Sequence, residues 1–378
     1  MRRHYLDHAS TSPLRPPVVT AMAKWLSEGT AADPGRVHHE GRVVRHVLEE
    51  SREAIAAFLG TRPRQVVLTS GGTEAVHTAV WGATRRDPGG VVAVAPVEHS
   101  AVREASARWA ALAELAVDAQ GRVLADSVGD VLERARRAGQ TVALVHCQYA
   151  NHEVGTMQPV REIVARCREA GVLVHVDACA AVGQVPLDLD ALDADLVSVT
   201  AHKMGGPSGV GALVVRRGLR LEPLFLGGAQ ERARRAGLEH VVGAVGFAAA
   251  AGALTPETIA AEERAARART DALTAAAEAV PGVTRVGDGG LPNIACLELQ
   301  GVEGEPVLLG LDQVGIAAHS GSSCASETLE PSPVLRAMGL DAERSLRLSV
   351  GWSTTDEDVA AFAAAFPDVV RRLRELAG

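Results

Sequence analysis

Between Gln65 and Val215, short β-branched and apolar runs alternate with stretches whose apolar positions recur every three or four residues. The runs at Val66–Thr69, Val91–Ala95, Val142–His146, Leu173–Val176, Leu196–Thr200 and Gly211–Val215 predict strands. Between them, Val160, Ile163, Val164 and Cys167 fall at helical spacing after Pro159, a residue suited to a first helical position. Strands alternating with helices in this way predict an α/β fold whose mainly parallel sheet is covered on both faces. Ligands of such sheets sit at the carboxyl ends of the strands.

The pattern changes after Leu254. Thr255 as cap and Pro256 in the first turn open a long Ala/Glu/Arg-rich helix that runs to Val280, where Pro281-Gly282 stops it. Beyond it, Ile294–Leu299, Gly315–Ala318 and Leu346–Val350 predict strands, and a final helix from Asp356 is expected to break or kink at Pro367. We therefore expect a large α/β domain at residues 15–255, and a smaller α+β unit formed by residues 1–14 with 256–378.

Composition narrows the function. The 378 residues carry a net charge of −8, which argues against a direct nucleic-acid ligand. Mean hydropathy of +0.08 and a longest uncharged run of about Val241 to Leu254 predict no membrane span. The N-terminus has no apolar run behind its arginines, so a cytoplasmic location is expected. Five scattered cysteines, Cys147, Cys167, Cys179, Cys296 and Cys324, suit reduced thiols, and no ligand spacing marks a metal site.

Of the 38 basic side chains only Lys24 and Lys203 are lysine. Solvated positive positions are evidently filled by arginine, so a lysine that persists in a loop draws notice. Lys24 belongs to a surface helix, Val18–Ser27. Lys203 follows a strand in Thr200-Ala201-His202-Lys203-Met204-Gly205-Gly206-Pro207, where it is either a structural loop residue or an amine able to attack a carbonyl, which a guanidinium cannot do.

Other candidates carry two readings each. Ser70-Gly71-Gly72-Thr73-Glu74 leads from a strand into a helix start, as a phosphate cradle or a plain capped turn. Asp177 ends a strand, either to hold a protonated ring nitrogen or to cap a helix. His99 could stack on a planar ring or simply fill a loop, and Asn151 could bond a ring hydroxyl or form a turn. Cys324 lies among small residues, Gly321-Ser322-Ser323-Cys324-Ala325-Ser326, where a thiol stays accessible and reactive. A phosphate cradle, a ring-nitrogen acid, a stacking imidazole and a lysine amine are together the parts that hold pyridoxal 5'-phosphate.

In order and spacing these residues resemble the cysteine desulfurases, fold-type I pyridoxal-phosphate enzymes of the class V aminotransferase group. The resemblance spans Tyr5-Leu6-Asp7, Ser70 to Glu74, Glu98-His99, Asn151-x-Glu153-Val154-Gly155, His175-Val176-Asp177-Ala178, His202-Lys203, Gly227-Gly228-x-Gln230-Glu231-Arg232, Gly321 to Cys324, Leu329-Glu330-Pro331-Ser332 and Arg347. It implies a large domain built on a mainly parallel seven-stranded sheet and a smaller α+β domain carrying the catalytic cysteine loop. It also implies that Lys203 holds the cofactor covalently and moves the Cα proton, that Asp177 pairs with the ring nitrogen, and that His99 stacks on the ring. Gly72, Thr73, Thr200 and His202 would receive the phosphate. Asn151 would contact the ring edge and substrate, and Arg347 would take the substrate carboxylate.

The activity so implied is removal of sulfur from L-cysteine, giving L-alanine and a persulfide on Cys324. The spacing from Cys324 to Leu329 resembles the longer-loop branch, whose members hand sulfur to an acceptor protein for iron–sulfur cluster assembly, tRNA thiolation or DNA phosphorothioation. A homodimer is expected on the same ground. Three departures weaken the expected hold on the cofactor: Ala180 where the family usually has glutamine, Ala236-Gly237-Leu238 in place of Ser-Gly-Thr, and Trp352 in place of a common basic residue. Two alternatives stay open, a pyridoxal-phosphate lyase or aminotransferase for another amino acid, and a sulfur-relay protein with a degraded cofactor pocket.

Overall fold

The computed structural model describes residues 2–320 and 331–377. Its strands are β1 (His4–Tyr5), β2 (Val66–Thr69), β3 (Val91–Val94), β4 (Leu112–Glu114), β5 (Val142–Gln148), β6 (Val174–Asp177), β7 (Leu196–Thr200), β8 (Gly211–Val215), β9 (Val283–Val286), β10 (Ile294–Leu299), β11 (Ile316–Ala317) and β12 (Ser345–Ser349). Seven of them form one sheet in the order β2-β8-β7-β6-β5-β3-β4, parallel except for β8. Every residue of β2, β3, β5, β6, β7 and β8 is buried, because helices cover both faces of the sheet. These are the six runs that the sequence marks as strands, three with the expected bounds and three with ends shifted by one or two residues. The fold class is α/β, as expected.

Edge strand β4 is read from structure alone. Its three residues are exposed or half-exposed and carry no apolar run. The C-terminal sheet, β12-β10-β9, is antiparallel, and β1 pairs in parallel with β11. Leu6 thereby buries with Leu297, Leu346, Phe362 and Phe366 in the C-terminal core. Contrary to expectation, the helix Asp356–Ala377 runs unbroken through Pro367. Burial of Phe362, Phe366 and Val370 on one face offsets the backbone hydrogen bond that proline cannot make. Among the described residues no single helix is long and apolar enough to cross a membrane.

One segment is strained. Glu231, Arg232 and Ala233 all have left-handed φ, of 48°, 58° and 60°, a conformation that costs L-residues about 1–2 kcal/mol each. It is held by the buried Glu231 carboxylate, which takes both Arg52 Nη1 and Nη2 at 2.6 and 2.7 Å and the Leu68 amide at 2.8 Å. Ala233→Gly should relieve one strained residue and raise the unfolding free energy by about 0.5–1 kcal/mol, after allowing for glycine's greater freedom in the unfolded chain. Denaturant unfolding of the two proteins measures it.

Candidate active site

The carboxyl ends of the central strands open into one cavity of about 240 Å³. Lys203, Asp177, His99, Gly72, Thr73, Thr200, His202 and Arg347 all line it. Residues separated by up to 275 positions in sequence thus meet because each follows or ends a strand at the same edge of the sheet, or arrives from the C-terminal unit.

Lys203 stands on a loop whose carbonyls are all held. His202 O accepts from the Ser12 amide at 2.8 Å, Lys203 O from Gln184 Nε2 at 3.1 Å, Met204 O from Arg15 Nε at 2.9 Å and Gly205 O from the Arg15 amide at 2.9 Å. Arg15 also forks onto Glu262 through two bonds of 2.7 Å and lies 5.7 Å from the ring of Trp352. The Trp352 indole in turn donates to Pro13 O at 2.9 Å. The lysine amine itself makes no ion pair among the described residues, so it is free for the cavity.

Asp177 ends β6. Its Oδ1 accepts from the Cys179 amide and Ser198 Oγ, both at 3.0 Å, which leaves Oδ2 available to a ligand. Burial pushes its pKa up, but His175, the Cys179 amide and His99 outweigh it, so the carboxyl stays below its usual value and ionised. His175 lies two residues back on the same strand and shares an Nδ1 to Nδ1 hydrogen bond of 2.8 Å with His146 of β5. Close by, Glu98 is fully buried and accepts only the Gln148 amide at 2.7 Å; burial and the charge of Asp177 push its pKa up to about 8. Two neighbouring carboxyls therefore carry different charges near neutrality.

The helix Gly72–Arg86 points its N-terminus at the cavity, and its first intrahelical bond comes from Ala75, leaving earlier amides free for an anion. A Cβ at residue 72 would lie 2.6 Å from Cys179 Sγ, so only glycine keeps this cradle open. Thr200 Oγ1 and His202 Nδ1 are hydrogen-bonded at 2.8 Å nearby. Burial and Lys203 hold His202 down to about 4, so it is neutral there. The set fits a planar, phosphate-bearing aldehyde: an anion cradle, a carboxylate with a free oxygen, a flat imidazole and an unpaired amine. Ala180 lines the same cavity with no polar side chain to offer.

Two expected residues behave differently from their simplest reading. Asn151 is fully buried and does not line the cavity; its Oδ1 takes the amides of Glu153 and Val154 at 2.8 and 2.9 Å, and its Nδ2 donates to Val97 O. It acts here as the turn former. Arg347 reaches the cavity, but Nη2 donates to Asp7 Oδ1 and Ser10 Oγ at 2.9 and 2.7 Å and Nη1 to His152 O at 2.9 Å, while Nε is buried with no partner among the described residues. A substrate carboxylate must share or displace these partners. Cys324 lies outside the described residues. The sequence reading missed His152, Ser10 and Arg15; the only signal for His152 was its place beside Asn151.

Breaking the Arg15 fork should cost about 2–3 kcal/mol in Arg15→Ala, with Arg15→Lys recovering only part, because one ammonium cannot serve Met204 O and both Glu262 oxygens; thermal unfolding checks both. For Glu98, the unfolded carboxyl ionises near 4.5 and the folded one near 8. The folded state keeps a proton over that interval that the unfolded chain has lost, so this group lowers stability as pH rises through it. Glu98→Gln should therefore gain a few kcal/mol on the wild type between pH 5 and pH 8, measured as paired denaturation curves.

Comparison with known proteins gives a consistent picture. Residues 4–362 match the family described as Aminotransferase class-V. The chain is 39% identical to the IscS-like cysteine desulfurase of Mycobacterium tuberculosis, covering 99% of this chain and 98% of that protein. Among solved structures it is similar to a NifS-like protein (TM-score 0.89, 27% identity, 98% and 100% covered). It is similar also to SspA in complex with cysteine (TM-score 0.79, 27% identity, 92% and 99% covered).

Proposed function

The chain belongs to the class-V aminotransferase family and within it to the cysteine desulfurases, and on that premise we propose that it removes sulfur from L-cysteine, giving L-alanine and a persulfide on Cys324. The observation that supports it most is the convergence of Lys203, Asp177, the Gly72–Thr73 helix start and Arg347 on one cavity. The structural relative SspA, in complex with cysteine, points to the same substrate.

Pyridoxal 5'-phosphate would be held by Lys203, Asp177, His99, Gly72, Thr73, Thr200 and His202. When bound, it supplies an aldehyde for amine exchange and a ring that accepts the electron pair left at Cα. Lys203 would both hold the group and serve as the base for the Cα proton. The clamped loop fixes where that amine can go, which is worth more to the rate than the amine's basicity alone. Asp177, ionised and anchored through Oδ1, keeps a positive ring nitrogen in place. His99 is neutral: its Nδ1 accepts the Ala101 amide at 3.0 Å, and burial, His152 and Lys203 lower it to about 3. A neutral, flat imidazole suits stacking.

Arg347 selects for a carboxylate, with Asp7 and Ser10 holding the guanidinium until one arrives. Cys324, as thiolate, attacks the substrate sulfur and later passes the persulfide sulfur to an acceptor protein. Among the described residues Cys147, Cys167, Cys179 and Cys296 are all buried, and burial raises each thiol above its usual pKa. None of them competes as nucleophile. We place the enzyme in the cytoplasm, where its thiols stay reduced, as a homodimer joined across the exposed Phe225, Leu226 and Leu238.

Wild-type protein loaded with pyridoxal phosphate should be yellow and should release alanine and, with a reductant, sulfide from L-cysteine. Cys324→Ser should keep the colour and lose at least 100-fold in alanine formation. Lys203→Ala should lose the borohydride-fixable attachment. A wild type that binds no cofactor, or a Cys324→Ser protein with full turnover, would overturn the assignment.

A further inference from the structure

The assignment above leaves one proton without a carrier. When a thiol attacks the substrate sulfur it gives up its proton; the S–S bond forms as the C–S bond breaks, and the carbon that loses sulfur must gain a proton. The protein sulfur is oxidised from thiol to persulfide and the carbon is reduced from C–S to C–H, so the exchange balances with no outside oxidant. One proton leaves a sulfur and one arrives at a carbon. We propose that His152, oriented by Glu153, is the acid–base group that takes this proton and returns it. The proposal rests on the desulfurase reading.

His152 lines the cavity beside Lys203 and Arg347. Its Nε2 lies 3.4 Å from Glu153 Oε1. Burial would raise Glu153, but contacts with His152, Ser332 and Arg347 bring it below the ordinary glutamate value, so it is a carboxylate. An anion at Nε2 keeps the ring proton there and leaves Nδ1 with a lone pair, which meets no hydrogen-bond donor among the described residues. This is the carboxylate–imidazole arrangement that prepares a base elsewhere in protein chemistry.

The ring is held from several sides. Asn151 Oδ1 fixes the turn through the amides of Glu153 and Val154, and Arg347 Nη1 donates to His152 O at 2.9 Å. Glu153 Oε2 accepts Ser332 Oγ at 2.5 Å, and the ring meets His99 edge-on at 4.9 Å between centroids. The other ionisable groups lining the cavity among the described residues have partners or roles of their own, His202 Nδ1 among them, hydrogen-bonded to Thr200 Oγ1 at 2.8 Å. The His99 lone pair is spent on the Ala101 amide, Asp177 is committed to Ser198 and the Cys179 amide, and Lys203 serves the Cα proton. The charged groups around His152 are Glu153 and, lining the same cavity, Asp177 on the negative side, with Arg347 and Lys203 on the positive.

The test uses full-length, cofactor-loaded wild type, His152→Asn, His152→Ala and Glu153→Gln. Expected for His152→Asn are an unchanged cofactor absorbance spectrum and melting curve, a fall in kcat of about 10²–10⁴-fold, and loss of the acid limb of the kcat against pH profile. KM for cysteine should move less than threefold, and imidazole should partly restore His152→Ala. Glu153→Gln should move the acid limb to lower pH, since removing an anion disfavours imidazolium. A second readout needs no cofactor: diethyl pyrocarbonate on the apoprotein should label His152 ahead of His99, as peptide mass spectrometry resolves. Wild-type kcat and profile in His152→Asn would overturn the proposal and leave the desulfurase reading standing. Activity lost only in proportion to lost cofactor, with an unchanged profile, would overturn it too and make His152 structural. A wild type that forms no alanine would bring down both.

Discussion

A lysine amine at the end of four methylenes is useful only if its backbone does not wander. Here the loop that carries Lys203 has each of its carbonyls from His202 to Gly205 tied by a separate donor. Three of those donors come from one stretch, Ser12 to Arg15, and the same stretch begins at a strand that belongs to the C-terminal unit through β11. Asp7 and Ser10, between strand and clamp, hold Arg347. One N-terminal strap thus sets both the amine on the large sheet and the guanidinium on the small one. The separation of that amine and that guanidinium is thus set by hydrogen bonds from one short stretch of chain as well as by packing.

Around that frame the site separates similar groups by environment. Asp177 and Glu98 are both buried carboxyls, yet Asp177 has a hydroxyl and an amide on one oxygen while Glu98 has a single amide and a buried oxygen with no partner. Desolvation wins at Glu98 and loses at Asp177. The imidazoles divide in the same way. His99 has its lone pair occupied and is a neutral surface, while His152 has its N–H occupied and keeps its lone pair. Identity of side chain says little here; which nitrogen is satisfied says a great deal.

The departures from the family pattern fall into two kinds once placed. Trp352 is absorbed into the strap, bonded to Pro13 O and set against Arg15, so its indole now reinforces the lysine loop. Ala180 and Leu238 are not compensated in this way: Ala180 leaves an apolar patch in the cavity wall, and Leu238 is largely exposed, as are Phe225 and Leu226. An exposed leucine where a hydroxyl is usual changes what that surface can bind, from a polar atom to an apolar partner face.

By itself the sequence determined the α/β class and six strands of the large sheet, because buried strands are continuous apolar runs; it also singled out Lys203, Asp177, Gly72 and Thr73, and through the family resemblance Arg347, all of which line one cavity. Local pattern carried no mark of β4, which is three exposed residues, and it misjudged Pro367, where burial of Phe362 and Phe366 outweighs the broken hydrogen bond. It also singled out Asn151 and passed over His152. Both sit in one turn, and a turn's direction is set by what it hydrogen-bonds across the fold. Only the tertiary structure turned the amide inward to Val97 and brought the imidazole to the cavity, since long-range partners, not neighbours in the chain, decide which side chain of a loop faces the ligand.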